Sequence, residues 1–147
     1  MNTYTLAMRF MGLGELEGNA NNGFIQWAHS LCGLDPDTPD ETPWCSSFAN
    51  AIAWILAKPR SGSAAARSWL DVGEPVSLAD ARLGDVVIFK RGKDPQPGPE
   101  VTRGAPGHVA FFAGMSGGDV LALGGNQGDK VSIARYPAAS VIGVRRI

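Results

Sequence analysis

Gly107-His108-Val109-Ala110-Phe111-Phe112-Ala113, then Ser116-Gly117-Gly118-Asp119, then Val120-Leu121-Ala122-Leu123, is the stretch on which the fold turns. Two short apolar runs flank a glycine turn, the pattern of an antiparallel hairpin. A parallel pair would need a crossover of about a dozen residues or more, and none intervenes. With the turn centred near Gly117, facing positions carry numbers that sum to about 234. Outward on one side, Leu83-Gly84 leads into Asp85-Val86-Val87-Ile88-Phe89. On the other side, Val131 to Tyr136 and Val141 to Arg145 read as further strands, about five in all. Between the first two strands runs Arg91 to Pro106, rich in Pro and Gly, a length that in a small domain is functional or mobile.

The first half of the chain has helical spacing instead. Tyr4 to Met11 is a short apolar stretch ended by Gly12 and Gly14, and Gly18 to Gly23 is a loop. Phe24, Ile25, Ala28 and Leu31/Cys32 recur at helical intervals up to Gly33. After the rigid connector Asp35 to Pro43, a third helix is expected with Thr42 as N-cap, Pro43 first and Cys45 in the first turn. Its buried stripe is Phe48, Ile52, Ile55 and Leu56, and Lys58-Pro59 stops it. Ala64 to Leu70 predicts a shorter helix. Helices first and antiparallel strands after make an α+β fold, with N-terminal helices packed on a C-terminal sheet. Residues 1–147 are the length of one domain.

Composition narrows the function. The chain is 44% hydrophobic and 18% charged, which excludes a disordered chain. Thirteen Lys+Arg against fourteen Asp+Glu give a net charge of −1. That balance leaves no footprint for nucleic acid and no polybasic membrane patch. No apolar run reaches the roughly 18 residues of a membrane span. The N-terminus lacks a basic segment followed by an apolar one, so synthesis in the cytoplasm without a signal peptide is expected. Two cysteines make no disulfide framework.

Cys45 is the leading candidate for chemistry. A thiol in the first turn of a helix meets unpaired N–H groups and the positive end of the dipole, and both favour thiolate. Those N–H groups can also hold an oxyanion. The alternative is a small buried hydrophobe. His108, at the mouth of an apolar strand, is a general base for that thiol, or else a strand-end cap. Asn126 completes the sum of about 234 with His108, which places an amide opposite the imidazole to fix its tautomer. It is alternatively a turn residue within Gly124-Gly125-Asn126-Gln127-Gly128. Trp44, beside Cys45, is the candidate for substrate contact. His29 and Cys32, three apart on a helix, could be half a metal site, but no zinc spacing completes it, and no metal or cofactor is expected. Arg91, Lys93 and Arg103 read as a solvated loop face that could hold an acidic substrate.

Taken in order, Trp44-Cys45-Ser46-Ser47-Phe48, Leu83-Gly84-Asp85-Val86-Val87-Ile88-Phe89 and Gly107-His108-Val109-Ala110-Phe111-Phe112 resemble the papain-like cysteine peptidoglycan hydrolases of the CHAP and NlpC types. The closing Leu123-Gly124-Gly125-Asn126-Gln127 looks like that of a small stand-alone subgroup from phages and bacteria, and the likeness runs from about Met11 to Arg145. The resemblance implies a papain-like fold and cleavage of an amide bond in the bacterial cell wall. The bond is either within the stem peptide or at the N-acetylmuramoyl-L-alanine linkage. It implies Cys45 as nucleophile, His108 as base and Asn126 as the third residue, with Gln127 as a helper near the substrate. An acidic residue that often stands two positions before that Asn is Gly124 here.

Expected with it are a monomer, peptidoglycan as the partner, and delivery by a holin or a secretion system, as for a phage endolysin or a secreted lytic effector. Its work would then be done at the cell wall or in the periplasm, after release or injection. A papain-like protease or deamidase acting on a protein is the second reading. A non-catalytic wall-binding domain is the third.

Overall fold

The computed structural model describes all residues, Met1–Ile147. Three helices come first: α1 (Thr3–Met8), α2 (Gly23–Ser30) and α3 (Cys45–Ile55). Asn22 caps α2, its side chain accepting from the N–H groups of Phe24 and Ile25. In α3 every residue from Cys45 to Ala53 is buried. The N-cap of α3 is Trp44, not the expected Thr42, and no side chain bonds to the helix start. Pro43 therefore stays outside the helix, and the first amides of α3 keep no side-chain acceptor. The expected short helix over 64–70 is a 3₁₀ segment, Ala66–Asp71.

Six strands follow: β1 (Glu74–Val76), β2 (Val86–Lys90), β3 (Gly107–Ser116), β4 (Asp119–Gly124), β5 (Ser132–Pro137) and β6 (Val141–Arg146). They form one antiparallel sheet in the order β1-β6-β2-β3-β4-β5. The fold is α+β with an antiparallel sheet, as the residue order predicts. The strand count is one higher, because β1 is three residues long with a central Pro75 and offers no alternation to read. Phe111 faces Leu123 and Phe112 faces Ala122, on the expected sum. Beyond them an irregularity pairs Gly114 with Leu121, one residue out of step. Gly114 takes φ +127° there, which a side chain would resist.

Both faces of the sheet are covered. On one, Val86, Ile88, Val109, Phe111 and Leu123 pack with Phe48, Ile52 and Trp69. On the other, Val87, Phe89, Ala110, Phe112, Val120 and Val144 form a second cluster. Two buried faces explain why β2 and β3 read as unbroken apolar runs.

The helical half is tied to the sheet by a strap after α1. Gly12 N–H donates to Val131 (3.0 Å), Val131 N–H to Leu13 (2.7 Å) and Glu15 N–H to Asp129 (3.0 Å). A side-chain carbon on Gly14 would lie 2.7 Å from the Asp129 carbonyl, so only glycine lets the strap close on the turn after β4. No helix is long and apolar enough to cross a membrane.

Candidate active site

The site forms where the head of α3 meets the start of β3. Cys45 is the first residue of α3 and is buried. The backbone N–H groups of Val109, the residue after His108, and of Ser46 are close enough to its thiol to favour the thiolate. From the helix start, Ser46 contributes to that support. The charge state differs from the thiolate expected from the sequence. Burial pushes the Cys45 thiol above its ordinary pKa, and the N–H groups of Val109 and Ser46 and the charge of Arg91 only partly offset it. In the free protein the group is a thiol, because desolvation outweighs the helix start.

His108 is buried in a cluster with two aromatic rings that also touch each other. Phe89 stacks on it at 6.1 Å, and Tyr136 lies against it at 5.2 Å. Its Nε2 lies 2.9 Å from Gln127 Oε1. Chemistry settles which atom carries the proton. The Gln127 amide nitrogen donates to the carbonyls of Ala122 (3.1 Å) and Ser132 (2.7 Å), which can only accept. The amide oxygen is therefore the end facing His108, and Nε2–H donates to it. In the neutral ring Nδ1 is then the basic nitrogen. That Nδ1 is buried with no hydrogen-bond partner. An unpaired buried nitrogen is costly, and it marks an atom available for chemistry. Burial lowers the pKa of His108, the bond to Gln127 opposes this, and the charge of Arg91 adds to the lowering. Thiol and imidazole both rest neutral.

The third position is a correction. The residue bonded to the imidazole is Gln127, not Asn126. β4 ends at Gly124, and Asn126 sits in a turn with φ +57°. The hairpin register that pointed to Asn126 does not extend through that turn. Gln127 is thereby also placed on the imidazole of His108, not among substrate contacts. Gly124 now has a structural reason, since a side-chain carbon there would lie 2.8 Å from Ala110 Cβ and 3.1 Å from Gln127 Oε1. An acidic residue does not fit.

Trp44 is corrected too. It is 1% exposed and offers no surface to a substrate. Its indole N–H donates to Glu15 at 3.0 Å, and its ring lies against Gly125, where an added carbon would come within 2.6 Å. It is a wall beneath the site.

Three further residues belong here. Arg91, just past β2, is exposed, and its charge acts on Cys45, His108 and Tyr136 together. The sequence marked it only as one cation of a loop. Tyr136 donates its hydroxyl to Gln127 Oε1 at 3.0 Å. It carried no local signal, because its partners lie on other strands. Arg67 is 1% exposed and donates to the carbonyls of Pro97, Gly98, Val101 and Pro106. It pins the long loop that ends at Gly107-His108.

His29 and Cys32 lie behind the site. His29 Nδ1 is 2.8 Å from Ser47 Oγ, fully buried. No group of three or more His, Cys, Asp or Glu side chains is gathered to hold a metal ion. The surface cavity between Gly18, Asn19, Asn21, Pro39 and Glu41 contains none of the site residues. Compared with protein-family models and with curated proteins, the chain has no match.

Proposed function

We propose that the chain is a cysteine hydrolase of papain-like fold that cuts an amide bond in peptidoglycan. The observation that carries the reading is the oriented imidazole. Gln127 holds Nε2–H and leaves a buried, unpaired Nδ1 beside Val109, whose N–H favours the Cys45 thiolate. A neutral thiol and a neutral base fit general-base attack: His108 Nδ1 takes the thiol proton as sulfur adds to the carbonyl carbon. The amides at the head of α3 stabilise the oxyanion. The imidazolium then protonates the leaving amine, the C–N bond breaks and a thioester remains. Water, deprotonated by the same nitrogen, releases the acid and restores the thiol. Arg91 supplies positive charge at the mouth, which suits the carboxylates of wall stem peptides.

Digestion of purified Gram-negative sacculi by wild type beside Cys45→Ala, with mass spectrometry of the fragments, tests the reading. Fragments are expected from wild type alone, with at least a 100-fold loss (on the order of 10² or more) in the variant, whose fold is retained. The new ends tell a stem-peptide cut from an amidase cut. No fragments from wild type would overturn the wall substrate, and equal fragments from Cys45→Ala would overturn the mechanism.

A further inference from the structure

We propose that Tyr136 is a positioning residue of this centre, holding the Gln127 oxygen against His108 Nε2 so that Nδ1 remains the basic nitrogen. The proposal rests on the hydrolytic reading of Cys45 and His108.

One oxygen receives two donors. Gln127 Oε1 accepts from His108 Nε2 at 2.9 Å and from the Tyr136 hydroxyl at 3.0 Å. Both lone pairs of that oxygen are then used, and the amide nitrogen is committed to two carbonyls. The Gln127 side chain has no freedom left to turn away from the imidazole. Tyr136 also lies against the His108 ring, tilted 36°, and against Phe89 at 4.6 Å. Its ring limits rotation of the imidazole while its hydroxyl fixes the imidazole's partner. Burial pushes the Tyr136 hydroxyl up to about 12, so it stays a donor across the working range of pH. β5 sets this geometry, since Tyr136 pairs with Val120 on β4, which leads into the turn that carries Gln127.

Tyr136→Phe separates the two contributions, keeping the ring and removing the hydroxyl. The charge that bears on His108 is that of Arg91 after β2, while Arg91 and Cys45 bear on Tyr136. Nitrogen NMR of the full chain reads the tautomer directly. The chain has two histidines, and the His108 signals are those lost in His108→Gln. In Tyr136→Phe the Nδ1–H form of His108 is expected to rise. On wall fragments kcat is expected to fall about five- to tenfold, with KM held within about twofold, the effect of one neutral hydrogen bond. The acid limb of kcat/KM should move along with the tautomer.

An unchanged tautomer overturns the proposal, even if activity falls, because the loss would then be structural. An unchanged kcat also overturns it. A changed tautomer in a protein that digests no sacculi keeps the role of Tyr136 on His108 and removes the hydrolase reading. If the Phe variant melts early, Tyr136→Leu, which loses ring and hydroxyl, must show the larger tautomer change. A smaller change overturns the proposal.

Discussion

Gln127 exceeds its neighbour Asn126 by one methylene, but backbone position decides which amide meets His108. Gln127 is buried and bonded to His108, Tyr136 and two carbonyls, whereas Asn126 occupies the left-handed turn before it. Gln127→Ala leaves His108 Nε2–H and the Tyr136 hydroxyl unpaired in a buried place. Turnover should fall about 100-fold or more, the usual worth of an oriented acid–base group. Stability should fall by about 1–3 kcal/mol, the cost of leaving buried groups unpaired. Asn126→Ala should leave turnover within about threefold and cost about 1–2 kcal/mol, from the left-handed backbone alone. Initial rates on wall fragments and urea midpoints for both variants check the pair, and equal turnover losses would reject Gln127 as the orienting residue. The places of Cys45 at a helix start and His108 at a strand mouth were legible, both being local signals. Gln127 was marked only as a helper near the substrate and Tyr136 not as a site residue at all, because their partners come together only through the order of the strands.

At the scale of elements, the loop over 91–106 is held from beneath. Arg67 on the 3₁₀ segment reaches four loop carbonyls with no carboxylate partner. Gly107 makes room for it, since a side-chain carbon there would lie 2.9 Å from Arg67 Cγ. The loop's length suggested function or mobility. Its fixed end shows why a long connection without strands stays ordered next to His108. Arg67→Met keeps much of the volume and removes every donor. It should cost about 2–4 kcal/mol, within the range for breaking a buried polar network. Limited proteolysis should then cut first between 91 and 106. A urea midpoint within error of wild type, with no new cleavage, would deny the loop this anchor. The hairpin was legible to the residue at Phe111 and Phe112, since one glycine turn sets both partners. Its bulge was not, because Gly114 gives no sign in the sequence of the extra residue.

Across the whole molecule, α3 links two buried histidines. His108 lies near the helix head, and His29 rests on Ser47 two residues beyond Cys45. Both are held below the ordinary imidazole pKa, chiefly by burial. At His29 the Thr42 carbonyl and the charge of Asp40 pull the other way without overcoming it. The consequence for stability follows from proton counting. Between the lowered folded pKa and the unfolded value of about 6.5, the unfolded chain binds more protons than the folded one. Stability therefore rises with pH through that window and drops as pH falls below about 6.5, where each imidazole must charge or leave its site. Urea midpoints for wild type should decline between about pH 7 and pH 5. His29→Gln and His108→Gln cannot take up this proton when unfolded, so each should decline less, and the double variant least. His29→Gln isolates the part of the slope that owes nothing to His108. A slope unchanged in that variant would mean that His29 is protonated as readily folded as unfolded, and that its burial against Ser47 does not hold it neutral.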